Sequence, residues 1–273
     1  MKDTKALGAT RKTSAKTAAK PVPKGQAVKT SAKDKAMAPA PRTGKDIAKA
    51  AKPAAKPQPS KTTDKATTQK VAVPELKKGD YFKFGSYCKE SSSRKTPIEW
   101  LVLKKSGSKV LLISRYGLDC KQYHHERVSM TWENCDLRKW LNGEFIRNAF
   151  TAAEQKKIAV TRLPNDNNAR YGTFGGNSTE DLVFCLSLAE AESLFKDDAA
   201  RKCVPTPYAV GNGAWQSSEN FIDGRGCCWW WLRSPGLHQR YASYVLAGGA
   251  RLPDGLNVNS DINAVRPALW VNL

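Results

Sequence analysis

Residues 227 to 236, CCWWWLRSPG, put two cysteines, three tryptophans, an arginine and a Ser-Pro-Gly turn into ten positions. Adjacent thiols suggest redox or copper chemistry, and three indoles suggest either a core or the floor of a binding site. Each possibility makes a demand on the backbone. Neighbouring residues of a strand point to opposite faces, so Cys227 and Cys228 form a cooperative thiol pair only on an unusual backbone. The same alternation sends Trp229 and Trp231 to one face and Trp230 to the other. If one face is core, the opposite face is either a second buried layer or an aromatic floor beneath a ligand. Tryptophan is highly buried on average, and its indole N–H wants an acceptor when it is.

Other chemistry-bearing residues are scattered. His124-His125-Glu126 suggests metal, but helical zinc motifs use histidines at i,i+4 and a third ligand, neither of which is set here. The run reads as a surface loop, His238 is isolated, and no metal or cofactor is expected. The seven cysteines, Cys88, Cys120, Cys135, Cys185, Cys203, Cys227 and Cys228, are odd in number and contain no CxxC pair. That excludes a complete intrachain disulfide framework and argues for buried thiols packing as small hydrophobes. Phosphate-binding glycine loops and a Gly-x-Ser-x-Gly elbow are absent from the sequence, which removes support for nucleotide and serine-hydrolase chemistry. Arg233 and Arg266 each sit close to a proline; their five fixed donors suit bracing of carbonyls, carboxylates or indole faces.

The elements that would position these residues begin near Asp80. DYFKFGSYC and TPIEWLVLKKSGSKVLLISR read as three strands, the last two joined at Ser106-Gly107. Between residues 131 and 158, Leu137, Trp140 and Leu141 fall at helical spacing, and Phe145, Ile146 and Phe150 continue an apolar face after a break expected at Gly143. Thr151 with Glu154, and Ser187 with Glu190, make capping boxes for two short helices, the second turning Leu188, Ala191, Leu194 and Phe195 inward. Residues 164 to 179, PNDNNARYGTFGGNST, read as a long surface loop. Strands return in CWWWLRS, YASYVLAG, LNVNS and AVRPALWVNL, with a turn expected at Pro253-Asp254-Gly255. The expected fold class is α+β, one domain whose last strand pairs near the N-terminal strand and closes the fold.

Residues 1 to 70 hold 18 Lys+Arg against 4 Asp+Glu, most of the formal net charge of +20, and contain no Phe, Trp or Tyr. Such an Ala/Lys/Pro-rich segment has too little apolar surface to offset the entropy of ordering. The expected organisation is a disordered basic tail, 1–75, and a globular domain, 76–273. A polycation of this kind resembles histone-H1-like tails and suits non-specific contact with nucleic acid or with acidic surfaces. The start of the sequence has no apolar stretch of a secretory signal, and nothing in it is long and apolar enough to span a bilayer, so a cytoplasmic protein is expected.

The run WWLRSPG, followed at fixed intervals by Ala242, Val245, Gly249, Gly255 and Val258 and then by AVRPALW from Ala264, resembles a bacterial family of domains of unknown function. Its C-terminal signature is WWLRSPG…A..V…G…G..V…GVRPAL; upstream, the GDY..FG.Y opening, the W.VL strand, LLIS and the WLN..F…AF segment are similar too. The likeness covers residues 79 to 273, with Ala264 where the family has glycine. The resemblance implies a C-type-lectin-like fold, shared with sulfatase-modifying formylglycine enzymes and with variable proteins of diversity-generating retroelements. It implies ligand display, with a protein or carbohydrate as the partner.

The intervening positions suit that role, since tyrosine, serine and asparagine supply contact area and adaptable hydrogen bonds. The expected ligand-facing residues are Trp230, His238, Arg240, Tyr241, Ser243, Tyr244, Arg251, Asp254, Asn257, Asn259, Asp261 and Asn263. Trp229, Trp231, Arg233, Arg266 and Trp270 are expected to be structural, and no catalytic residue is expected. Two rivals stand beside this reading: a nucleoid- or RNA-associated protein driven by its tail, and an oxidoreductase of the formylglycine-generating kind.

Overall fold

The computed structural model describes residues 75–273. Apart from Glu75, the expected basic tail lies outside the described residues. Strands β1 (Tyr81–Ser91), β2 (Arg94–Ser106) and β3 (Lys109–Ser114) form an antiparallel meander. The second hairpin closes from Ser106 to Lys109 over Gly107, whose φ of +58° is the left-handed conformation the sequence called for. Alternation along β2 buries Ile98, Trp100 and Val102, and the Trp100 indole donates to Phe84 O at 2.7 Å.

After β4 (Asp119–Cys120), helix α1 (Asp136–Trp140) runs through a wide π turn, Leu141–Phe145, into α2 (Ile146–Ala149). Gly143 therefore does not break the helix. Glycine costs about 1 kcal/mol inside a helix, whereas the widened turn keeps Leu137, Leu141, Phe145 and Ile146 all buried in the core, a larger gain. Both capping boxes are formed, Thr151–Glu154 opening α3 (Ala152–Gln155) and Ser187–Glu190 opening α4 (Leu188–Ser193). Glu154 also accepts the Gly85 N–H at 3.1 Å, which ties the first of these caps to β1.

Between the two helices, β5 (Thr161–Leu163) and β6 (Thr179–Asp181) bracket the loop of residues 164–178. Helices α5 (Asp198–Arg201) and α6 (Pro207–Gly211) and a small hairpin, β7 (Phe221–Ile222) with β8 (Arg225–Gly226), precede the C-terminal strands. These are β9 (Trp230–Pro235), β10 (Tyr241–Val245), β11 (Arg251–Asn257), β12 (Ala264–Val265) and β13 (Ala268–Asn272). One sheet has the order β1-β2-β3-β13 and the other β11-β10-β9-β12-β4. The fold is mixed α+β, built from small sheets and short helices. The last strand pairs with β3, Trp270 opposite Leu111, so it closes the meander at its third strand.

Two sequence expectations are corrected by the C-terminal sheet. Pro253-Asp254-Gly255 is no turn: it lies inside β11, the outer strand, where a proline without an N–H costs no ladder bond. The chain reverses earlier, between Val245 and Arg251, at Gly249; there a Cβ would lie 1.7 Å from Asp198 O. Ala264, where the resemblance expects glycine, is accommodated from across the fold. Its Cβ fills the space that a side chain on Gly117 would need, 2.7 Å away. Among the described residues no helix is long and apolar enough to cross a membrane.

Candidate functional site

Strand β9 is the middle strand of its sheet, and both of its faces are covered. Trp230 is fully buried, with its ring under the Arg266 guanidinium at 5.0 Å and its Nε1 donating to Arg201 O at 3.2 Å. Trp231, equally buried, edges Tyr123 and donates to Lys121 O at 2.9 Å. The structure therefore places Trp230 in a second core layer, correcting its assignment to a ligand floor: Arg266 and the segment at Arg201 pack over its face of the strand. Trp229, just before the strand, is the half-buried indole, stacked between Trp215 and Tyr244 at 4.8 and 5.4 Å.

The two motif arginines are packed in behind these indoles. Arg233 ion-pairs with Glu190, the capping glutamate of α4, and its Nη1 and Nη2 donate to the carbonyls of Cys185 and Pro164. Arg266 donates to Ser114 O and Arg201 O, both at 3.0 Å. Arg233 thus links β9 to α4, and Arg266 links the C-terminal crossover to β3. Trp270 is half-buried on β13.

Three more expected ligand-facing residues are buried and are corrected here. Ser243 is fully enclosed, its hydroxyl donating to Pro235 O at 2.8 Å to hold the irregular pairing of β9 and β10. Tyr244 is wedged between Trp229 and Trp231, and burial pushes its phenol pKa up. Asn263 is fully buried beside Cys120, whose thiol donates to Asn263 O. In each case the pairing of β10 with β9, or of β12 with β4, brings a neighbour over the side chain. His238, Arg240 and Asp261 are exposed, and Tyr241, Arg251, Asp254, Asn257 and Asn259 are half-exposed.

The loop of residues 164–178 lies at the surface, as expected, most of its residues exposed, and it is anchored at a few points. Asn168 is only 2% exposed. Its Nδ2 donates to Pro235 O and Pro253 O, both at 2.8 Å, while its Oδ1 accepts the N–H of Arg170. One amide side chain thus joins the loop to β9 and β11. Tyr171 donates to Asp254 Oδ1 at 2.6 Å; that carboxylate holds the phenol above its usual pKa, and Arg170 pairs with the same oxygen. At the same junction Gly236 and Gly255 approach each other so closely that a Cβ on Gly255 would lie 2.9 Å from Gly236 Cα.

Where the loop, the start of α4 and β11 meet, they enclose a cleft of about 450 Å³ lined by Asp166, Arg170, Ser187, Leu188, Glu192, Ser234, Arg251 and Pro253, among others. Arg251 pairs with Glu192 at 2.8 Å and presents a buried Nε that has no partner among the described residues. Its size falls within the roughly 300–1,000 Å³ typical of ligand sites, and it combines a few polar groups with an apolar wall. Of the twelve sequence candidates, Arg251 lines this cleft and Asp254 supports its wall; the others do not line it. Sequence reasoning missed Asn168, Arg170, Tyr171, Ser187, Glu192 and Ser234. The signal available for the first three was the NNARY run, whose amide, arginine and tyrosine match a recognition composition.

All seven thiols are free and buried. Cys228 hydrogen-bonds with Cys203, not with its neighbour Cys227, as the opposite facing of adjacent residues requires. Burial pushes the Cys120 and Cys135 thiols up to about 12.

A family model described as a domain of unknown function, DUF6273, matches residues 107–273. No curated protein and no solved structure matches the chain.

Proposed function

The chain belongs to this family of unknown function, and we propose that residues 76–273 are a non-enzymatic ligand-binding module of C-type-lectin-like fold, carried on the basic segment 1–75. The observation that carries the reading is the cleft between the 164–178 loop, α4 and β11, with the Arg251–Glu192 pair at its mouth. A glycan or an extended peptide offers the hydroxyls, carbonyls and carboxylates that such a lining receives. A contrast in burial supports display: WWLRSPG and VRPAL are almost wholly buried, whereas the stretch between them supplies exposed and half-exposed side chains. That is the division of labour expected of a retroelement variable protein. Burial of every thiol disfavours the oxidoreductase alternative, since a reactive cysteine is a partially exposed one.

The test is a screen of untagged full-length protein against glycan and peptide libraries, followed by calorimetry on any hit. Arg251→Glu and Arg170→Glu are expected to weaken binding at least tenfold, about 1.4 kcal/mol. A ligand bound equally well by both variants overturns the cleft as its site. A reverse transcriptase with a near-copy of codons 229 to 273 beside the gene supports the retroelement reading, and a locus without one removes it.

The basic segment supports a second role. Eighteen cations within residues 1–70 suit binding to nucleic acid by counterion release. Affinity for duplex DNA is expected to fall steeply with salt and to disappear when those lysines are replaced by glutamine. Tight binding that survives the replacement would place the affinity in the domain and favour the nucleic-acid reading over display.

A further inference from the structure

Outside the cleft, the loop that follows β4 brings two neighbouring histidines to an aspartate eleven residues further on. His124 and His125 meet Asp136, the first residue of α1, with His124 Nδ1 at 2.8 Å and His125 Nδ1 at 2.5 Å from the same oxygen, Oδ2. The loop is pinned on both sides, His124 N–H donating to Val258 O and Leu137 N–H to Tyr123 O. The site is therefore held by backbone bonds from β11's end and from the helix, before any ligand enters.

The hydrogen bonding around Oδ2 does not close. A carboxylate oxygen has two lone pairs, and the His125 backbone N–H takes one at 3.1 Å. Two imidazole nitrogens compete for the other. His124 loses: it is 7% exposed, and its Nδ1 is buried without a hydrogen-bond partner because its approach to Oδ2 is not aligned for donation. A buried nitrogen aimed at an anionic oxygen, with a second imidazole beside it, is a donor set suited to a cation.

We propose that His124 Nδ1, His125 Nδ1 and Asp136 Oδ2 form an open three-ligand site for a divalent first-row transition ion, with Zn²⁺ the best-matched species. Two imidazoles and a carboxylate are a recurrent zinc set, the remaining position going to solvent or a ligand. Metal bonds of about 2.0–2.2 Å put the donors about 3.3 Å apart, so each side chain needs to open by only about half an ångström to an ångström. The surroundings match the pattern by which outer groups orient ligands. Glu126 Oε1 lies 3.6 Å from His125 Nε2, on the side that leaves Nδ1 unprotonated for metal, and Lys139 sits at Asp136 Oδ1, leaving Oδ2 to the imidazoles. His125 is largely exposed and borders a shallow cleft of about 200 Å³ with Lys121, Gln122 and Trp140. The open coordination position thus faces solvent.

The experiment titrates untagged, fully reduced full-length protein with Zn²⁺ by calorimetry and with Co²⁺ by visible absorption, and follows the melting temperature with and without Zn²⁺. Expected are one ion per chain, a four- or five-coordinate Co²⁺ spectrum without thiolate charge-transfer bands, and a rise in melting temperature on adding Zn²⁺. Each of His124→Asn, His125→Ala and Asp136→Asn should weaken binding at least tenfold and abolish the rise. His125→Ala alters an exposed side chain, so it reports on the metal even where His124→Asn impairs folding. Absence of stoichiometric binding by the wild type overturns the proposal, as does binding that His125→Ala and Asp136→Asn leave unchanged or that shows thiolate bands.

Discussion

Arg233 and Arg251 reach the same short helix from two strands of one sheet, and they do opposite things there. Arg233, on the central strand β9, is 2% exposed, grips Glu190 and donates from Nη1 and Nη2 to two backbone carbonyls. Arg251, on the outer strand β11, pairs with the solvent-exposed Glu192 at the mouth of the cleft. The Arg233 pair braces, because its guanidinium is enclosed and held by Glu190 and two backbone carbonyls. A pair at the edge can exchange its partner for a ligand.

The comparison predicts a ranked set of effects on stability. Trp230→Ala should be the most damaging, about 3–5 kcal/mol for the cavity alone, with loss of the stacking surface for Arg266 besides. Trp229→Ala, at a half-buried indole, should cost far less, and urea denaturation of the two variants measures the difference. Equal losses would show that the tryptophan run is a single layer after all.

Arg233→Met should cost about 3 kcal/mol, since it leaves Glu190 without its cation, the buried Cys185 carbonyl without this donor and the Pro164 carbonyl to solvent. Arg251→Met should cost under about 1 kcal/mol, because Glu192 is solvent-exposed and rehydrates. If chemical denaturation ranks these two the other way, the division between brace and binding edge fails.

A third effect comes from the thiols behind the same sheets. Burial pushes Cys135 up to about 12, whereas an unfolded thiol titrates near ~8.5. Between those values the folded chain keeps a proton that the unfolded chain has released. The stabilisation is therefore full below ~8.5 and is lost as pH rises toward the folded value, by up to ~1.4 kcal/mol per pH unit for this one group. Denaturation midpoints at pH 8, 9 and 10 test the sign; a midpoint that rises over this range contradicts it. Native protein should also resist thiol alkylation that denatured protein accepts at all seven positions. Smaller still, Ser187→Ala should cost about 1 kcal/mol by removing the cap of α4, and it should loosen Glu190 and hence Arg233.

Much of the local structure was legible because it depends on residues three or four apart. Thr151 with Glu154 and Ser187 with Glu190 announce their helices by contacts within one turn. Gly107 announces its hairpin by a conformation only glycine takes easily. The candidate site was legible in part, through Arg251 and Asp254. Trp230, Ser243, Tyr244 and Asn263 were misplaced because alternation says which side chains share a face and nothing about what covers it. The loop of residues 164–178 was legible as surface from its turn-rich composition, whereas its anchoring through Asn168 to strands far along the chain was not.

The sequence by itself therefore determined the α+β class, the caps, the first meander and the concentration of charge before residue 71. Tertiary structure alone decided that β13 closes against β3, that both faces of β9 are core, and that Asp136 meets His124 and His125. Caps and turns are short-range choices made by neighbouring residues, whereas burial and convergence depend on which distant segment arrives on top. A strand's pattern names its two sides, and only the packed chain says which of them meets water.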